Sequence, residues 1–295
     1  MAVDNWDEIR TAYHVARAGT VSGAAEMLGV HHATVIRHID ALEGRIGVKL
    51  FQRHARGYTA TEAGDDLLQV AQATDDQFSQ LVGRIKGRGS EVTGELVVTS
   101  LASVSRLLTP ALVRFREEHP GLMVRLLTGD RVFRLEYGEA HVAVRAGAAP
   151  AEPDNVVQEL GGQPITLFAC KSYIEKYGMP EGEADFVNHQ FIGPDGNKSR
   201  ARFYQWMFDA IPDENIVFRG LEARVMQDAV LAGAGIGFMP VADAAAYPNL
   251  VEVTPPRKEW TAPMWLVTHV DLHRTTKVQA FLKFLKAEAK GWGFL

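Results

Sequence analysis

Cysteine is nearly missing from this sequence: among 295 residues only Cys170 is one. A lone thiol cannot close an intramolecular disulfide or build a thiolate metal cluster, which excludes disulfide scaffolds and structural zinc folds. No run of eighteen apolar residues occurs, so no membrane span is expected. A basic leader followed by an apolar core is also lacking. The chain opens Met1-Ala2-Val3-Asp4-Asn5-Trp6-Asp7-Glu8, and the cytoplasm is the expected compartment. Positive charge is in deficit, with 31 Lys and Arg against 36 Asp and Glu for a formal net charge of −5. Any nucleic-acid contact must therefore come from a local patch. Internal repeats and low-complexity tracts are absent. So are the G-x-S-x-G, H-E-x-x-H and paired-carboxylate patterns that would argue for turnover, and no enzyme activity, metal or cofactor is expected.

What remains is an ordinary globular composition, 46% hydrophobic and 23% charged, long enough for roughly two domains at about 150 residues each. The first ninety residues read as helix after helix, with little strand pattern until Tyr58. After Gly94 short β-rich runs alternate with helical stretches, as in Glu95–Thr99, Met123–Leu127, His141–Val144 and Pro164–Phe168. That alternation predicts an α/β domain with a largely parallel sheet. The segment Gly87-Arg88-Gly89-Ser90 between the two textures is a candidate hinge.

Within the helical part, a break at Ala18-Gly19-Thr20 precedes a short helix with Thr20 or Ser22 as candidate N-cap. Gly29-Val30 then forms a tight turn before a helix from about His32 to Ile46. Ala25, Leu28, Val30, Val35, Ile39 and Leu42 fit two helices packed across that turn, a helix-turn-helix whose second helix enters the major groove. An ordinary helical hairpin shares the pattern, but charge favours DNA. From His31 to Arg56 there are five basic residues (Arg37, Arg45, Lys49, Arg53, Arg56) against two acidic ones (Asp40, Glu43), inside an acidic chain. Four of the ten histidines (His31, His32, His38, His54) share the window. Adjacent histidines without an acidic or sulfur partner do not make a metal site. Phe51–Thr59 reads as a two-stranded wing with Gly57 at its turn. Candidate groove-facing residues are His32, Ala33, Thr34, Arg37 and His38, with Arg37 the best donor for guanine, although it could sit on a phosphate instead. Arg53 and Arg56 are the candidate phosphate contacts.

Ala24-Ala25, Leu28-Gly29-Val30, Val35, Arg37, Ile39, Ala41-Leu42-Glu43, Gly47–Phe51, Arg53 and Thr61-Glu62-Ala63-Gly64 resemble the winged helix-turn-helix of LysR-type transcriptional regulators. The sequence departs from that pattern at His31-His32, where the family usually has Ser-Gln, at Ile36 in place of Ser, and at Ala60 in place of Leu. The first two changes weaken the helix cap and alter the groove-facing surface.

From Glu62 to about Lys86, Leu67, Ala71, Thr74, Phe78, Leu81 and Ile85 follow spacings of 4, 3, 4, 3 and 4, a heptad seam of about three heptads. Periodicity alone leaves a coiled-coil dimer and a helix packed on its own domain even. The resemblance implies a long dimerising linker helix, and two recognition helices reading two half-sites require a dimer. Residues 94–295 resemble the family's periplasmic-binding-protein-like effector domain more loosely, through Gly94, Leu96, Leu108, Pro110, Phe115, His119-Pro120, Leu135, Gly138, Ala143, Arg145, Gly233, Gly235, Gly237 and Pro240. His141 stands where an acidic residue is usual.

The expected architecture is α+β and multidomain. A winged helix-turn-helix DNA-binding domain spans 1–61 and a linker and dimerisation helix 62–90. A two-lobed α/β effector domain spans 91–295, with lobe 1 at about 94–163 plus 267–295 and lobe 2 at about 164–266. Crossover strands are placed near Ile165–Ala169 and Met264–Thr268. Ser100, Ala102 and Ser103, between a strand and a helix N-terminus, suit a carboxylate or other anion, although Ser103 could simply cap that helix. Arg131 and Arg145 follow two other strands, and Arg145 could equally sit in an ion pair. Pro194 and Phe238 lie in turn-rich segments expected to line the second lobe's side. The aromatic run Phe203–Phe208 is read as core, and Cys170 as a buried, inert thiol.

The function implied is sequence-specific binding of double-stranded DNA, modulated by a small-molecule effector between the two C-terminal lobes. The resemblance implies a homodimer, and a homotetramer as is typical of the family. Two alternatives stand beside it: a constitutive DNA-binding regulator without effector, and a small-molecule-binding α/β protein dimerised by its helical N-terminus.

Overall fold

The computed structural model describes residues 5–54, 57–85, 92–129, 131–196, 199 and 201–294. Its first unit opens with α1 (Trp6–Ala18), α2 (Val21–Leu28) and α3 (His32–Ile46). Each helix stops where a glycine takes the left-handed conformation, Gly19, Gly29 and Gly47, which only a residue without Cβ adopts cheaply. Thr20 is the cap of α2, its hydroxyl accepting from the Gly23 N–H at 3.1 Å. His31 caps α3 without any side-chain hydrogen bond. Ala12, Val15, Ala24, Val35, Ile39, Leu42, Leu50 and Phe51 form the core of this unit. Each fully buried Val, Leu, Ile or Phe stabilises it by about 1.5–3 kcal/mol.

The wing is the antiparallel hairpin β1 (Phe51–His54) and β2 (Gly57–Ala60), in register from Phe51↔Ala60 to His54↔Gly57. Gly57 therefore opens the return strand, and its role is not the turn itself. At its φ of +143° a Cβ would stand 2.4 Å from the Gly19 carbonyl oxygen. The neighbouring Tyr58 N–H donates to that same oxygen at 2.9 Å. The glycine lets the wing lie against the α1–α2 corner.

The 24-residue helix α4 (Glu62–Ile85) follows, about 36 Å long at 1.5 Å per residue. Along the expected seam Leu67 packs on the first unit's core and Ala71 is buried, whereas Phe78 and Leu81 are exposed. Phe78 meets the Trp6 ring edge-on at 5.4 Å. Gln72 donates to Glu95 at 2.9 Å, tying α4 to the next unit. The expected hinge at Gly87–Ser90 lies outside the described residues.

The remainder folds as two α/β lobes. The first holds β3 (Gly94–Ser100), α5 (Ser105–Glu118), β4 (Leu122–Thr128), β5 (Val142–Ala146) and β6 (Asn155–Gln163). The chain crosses at Pro164 into the second lobe. This contains β7 (Ile165–Cys170), α6 (Lys171–Tyr177), β8 (Phe191–Pro194), α7 (Arg202–Ala210), β9 (Ile216–Gly220), α8 (Ala223–Leu231), β10 (Ile236–Pro240), α9 (Val241–Ala244) and β11 (Leu250–Glu252). It then returns to the first lobe as β12 (Ala262–His269), α10 (Val270–His273) and α11 (Thr276–Ala289).

Strand order is β4-β3-β5-β12-β6 in one sheet and β11-β7-β10-β8-β9 in the other. Four of the five strands in each sheet run in one direction, and a single strand, β12 in the first and β7 in the second, runs antiparallel to them. The sheets are thus largely parallel in direction, as expected, and each is made mixed by one reversed strand. The expected crossovers also shift. Ile165–Ala169 lies within the second lobe's sheet, and Met264–Thr268 within the first lobe's, paired to both β5 and β6. An apolar run announces a buried strand without saying which sheet receives it. The first lobe therefore takes back the chain from Ala262 instead of from about 267.

Candidate DNA-binding surface and interlobe cleft

Helix α3 buries Val35, Ile39 and Leu42 against α1 and α2, so its 3.6-residue period turns His32, Ala33, Arg37, Asp40 and Gly44 outward. His32, Ala33 and Arg37 stand on the open surface as expected, and Thr34 is half-buried. His38 does not join them. Its Nδ1 lies 2.9 Å from the Thr11 Oγ1 on α1, so it fastens α3 to the helix behind it.

The basic surplus read from the sequence is largely spent inside the domain. Arg45 bonds to Glu8, which is buried on α1. Lys49 bonds to Glu43 at 2.7 Å. Arg53, expected on DNA phosphate, donates instead to Asp40 at 2.6 Å and to Glu43 at 3.1 Å, with its guanidinium 5.3 Å from the Tyr58 ring centre. Arg37 has no carboxylate partner among the described residues, and Arg56 lies outside them.

Glu43 organises this cluster. Almost fully buried, it accepts the Leu50 and Phe51 N–H groups at 2.9 and 3.2 Å with one oxygen, and Lys49 and Arg53 with the other. Burial pushes its carboxyl up, but the hydrogen bonds from Lys49, Leu50 and Phe51 outweigh that and hold it below the usual range. Arg53 is held more firmly protonated than usual, first by its bond to Asp40. In the sequence Asp40 counts only as a negative charge, and Glu43 as a charge within the family-like Ala41-Leu42-Glu43; a carboxylate on a helix gives no sign of the strand it will hold.

In the effector unit the carboxyl ends of the parallel strands, Thr128, Ser100 and Ala146 in one lobe and Pro194, Gly220 and Pro240 in the other, are where α/β sheets receive ligands. Ser100 is buried at the end of β3, its hydroxyl turned to the Leu101 carbonyl at 3.1 Å. Ala102 and Ser103 belong to a single 3₁₀ turn that leads into α5, and Ser103 does not cap that helix. Ala102 is exposed and Ser103 half-buried, and α8 of the second lobe packs against this turn.

Arg131 is bound to Glu139 at 2.9 Å and rests on the Phe133 ring. Arg145 reaches Glu152 at 3.3 Å and the Phe133 carbonyl at 3.4 Å. Both arginines thus have partners within their own lobe. Pro194 is half-buried at the end of β8. Phe238 is not a lining residue: it is buried among Phe203, Tyr204, Trp206 and Trp260 in the second lobe's core. The strand β10 is covered on both faces, so Gly237 meets α8 and Phe238 must point the other way.

A bridge that sequence reading missed joins the lobes. Arg106, in the first turn of α5, donates to the Tyr247 hydroxyl at 2.8 Å, and its guanidinium lies 4.9 Å from that ring's centre. Its Nε stands 4.0 Å from Oδ1 of the buried Asp243, an oxygen without a hydrogen-bond partner among the described residues. Burial raises the Asp243 carboxyl above its ordinary value, against the opposing pull of Arg106 and Arg224. At the outgoing crossover, Gln163 is buried with its amide nitrogen likewise unpartnered among the described residues. No group of three or more metal-binding side chains occurs among those residues, and none of their helices is long and apolar enough to cross a membrane.

Comparison with known proteins agrees with this geometry. Residues 6–65 match the family model of the bacterial regulatory helix-turn-helix protein, lysR family, and residues 89–290 match that of the LysR substrate binding domain. The transcriptional activator IlvY of Salmonella typhimurium is 36% identical over 242 residues, covering 79% of this chain and 81% of the relative. The solved structure of CrgA, a LysR-type regulator from Neisseria meningitidis, superposes with a TM-score of 0.59 at 23% identity, over 97% of this chain and 99% of that one. LysG from Corynebacterium glutamicum, solved with bound effector Arg, gives a TM-score of 0.65 at 20% identity, over 97% and 98%. With both of its units matched by that family's models, the chain belongs to the LysR-type transcriptional regulators, a family of regulators and not of enzymes.

Proposed function

We propose that this regulator reads duplex DNA in the cytoplasm as a homodimer, two of which assemble into a tetramer, and that a small anionic effector between the lobes sets its activity. The DNA-binding part of this reading rests on one observation above all. Helix α3 keeps His32, Ala33 and Arg37 on an open face while its opposite face is fastened to α1 and to the wing. A rigid helix with short and basic side chains at its leading end is what a major groove admits. Dimerisation is supported by α4, which carries Val70, Phe78 and Leu81 exposed along one helix. A second copy would take that apolar surface out of water.

The effector reading is supported by the two sets of parallel strand ends and by the turn from β3 into α5, against which α8 of the second lobe packs. LysG holds an amino acid, Arg, as effector; here Ser100, Ala102 and Ser103 are the residues proposed to meet a carboxylate. An effector regulates only if it prefers one arrangement of the lobes or subunits to another.

The test is a footprint of the purified protein on the DNA upstream of its own gene, across a salt series. Protection of two half-sites one helical turn apart, or a multiple of it, is expected. Salt-sensitive coating without a preferred site would reduce the activity to nonspecific affinity, and no binding at low salt would end the DNA reading. A panel of small carboxylates screened for a rise in melting temperature, then for a changed footprint, tests the effector half.

A further inference from the structure

The ion pair between Asp40 and Arg53 lies on the open face of α3 that is proposed above to meet DNA. Asp40 shares the outward face of α3 with Ala33 and Arg37, and its side chain is 52% exposed. Arg53 comes from the first wing strand and is 35% exposed. Two carboxylates, Asp40 and Glu43, and two cations, Lys49 and Arg53, therefore make a patch of zero net charge in the seam between recognition helix and wing. The two carboxylates are not equivalent. Glu43 is buried and also holds the backbone of Leu50 and Phe51, so it is part of the frame. Asp40 makes no other side-chain hydrogen bond among the described residues; its 2.6 Å bond to Arg53 is its one engagement.

We propose that Asp40 is a resident substitute for a DNA phosphate, holding Arg53 neutralised until the wing is seated closely enough for a phosphate to take the carboxylate's place. This inference rests on the DNA-binding reading above. A phosphate offers the guanidinium the same kind of charged oxygen acceptor as Asp40 does. An exposed ion pair is held weakly, so the exchange is accessible once the phosphate is near. In a loose complex on arbitrary DNA the exchange does not occur. That complex forms one phosphate contact fewer per DNA-binding head, and the sequence-independent part of the affinity is correspondingly low. Asp40 thus acts as a specificity-determining residue without touching a base. It suppresses binding everywhere the fit is poor, and contacts from the Ala33 and Arg37 face carry a larger share of the remaining affinity.

Fluorescence anisotropy on an arbitrary labelled duplex of about 25 base pairs, titrated across a potassium chloride series, tests this without knowledge of the operator. Asp40→Asn is expected to bind more tightly than wild type at low salt. Its log–log salt slope should be steeper by about 0.9 per head, so that its advantage shrinks about three- to fourfold per head between 50 and 200 mM salt. Asp40→Glu, which restores the pair, should return the slope to the wild-type value. The decisive comparison is the double variant. If Asp40 works through Arg53, Asp40→Asn brings no tightening in an Arg53→Gln background. A gain that persists there would show that Asp40 acts only as one more negative charge, and would overturn the proposal. So would an unchanged slope in Asp40→Asn when wild type binds. Absence of wild-type binding at low salt would overturn the DNA-binding reading together with this one.

Discussion

Single carboxylates decide more here than their numbers suggest, and two of them titrate in opposite senses. Glu43 is held below its ordinary value by Lys49 and the Leu50 and Phe51 N–H groups, despite burial that pushes the other way. The stability it lends is fully present above about pH 4.5, the ordinary value, and is lost as pH falls through the depressed one. Glu43→Gln should therefore lower the stability of the winged unit by about 1.5–3 kcal/mol at pH 7, the range for a hydrogen bond to a charged group. The gap from wild type should close in thermal melts as pH falls through that depressed value. A gap independent of pH would mean that packing, not charge, carries the role.

Asp243 behaves inversely. Its carboxyl is raised, foremost by burial, so folding takes up a proton and stability declines as pH rises from about 3.8, the ordinary value. Asp243→Asn should raise the melting temperature of the effector unit at pH 7, with the difference fading in acid. If the variant melts lower at pH 7, the 4.0 Å approach to Arg106 stabilises the lobes more than burial of the charge costs.

Elements were legible wherever local chemistry fixed them. Gly19, Gly29 and Gly47 end three helices, and the apolar spacing of Val35, Ile39 and Leu42 gave α3 its buried face without help from the rest of the chain. What escaped reading is whatever another element imposes. His38 looked groove-facing by position, but Thr11 of α1 claims it. Gly57 looked like a turn glycine, but the Gly19 carbonyl across the domain is what forbids it a side chain. Phe238 sits in a turn-rich stretch by composition, yet both faces of β10 are covered and its ring has only the aromatic core to enter. In α4 the heptad spacing is real, but the domain core uses its first part and leaves Phe78 and Leu81 exposed. If that end is the dimer seam, Phe78→Glu combined with Leu81→Glu should halve the mass seen by sedimentation at micromolar concentration, with the helical circular dichroism signal kept. Unchanged mass would move the subunit contact elsewhere.

At the scale of the whole molecule the reversed strands have one origin: the chain leaves the first lobe at Pro164 and comes back at Ala262. β12 lies between β5 and β6, and Val278, Phe281 and Leu285 of α11 fill the first lobe's core beside Leu96 and Phe115. The second lobe, by contrast, is one uninterrupted stretch. On the ribosome the order of completion is therefore inverted. The lobe that begins to emerge first must wait, with β5 and β6 unjoined, until the other has been made and β12 and α11 have followed it. A message cut short after Thr261, which keeps Trp260 in the second lobe's core, should yield a chain whose second lobe resists limited proteolysis while residues 92–163 are digested. A stall late in translation would thus expose the older segment, not the newer one, to chaperones and proteases.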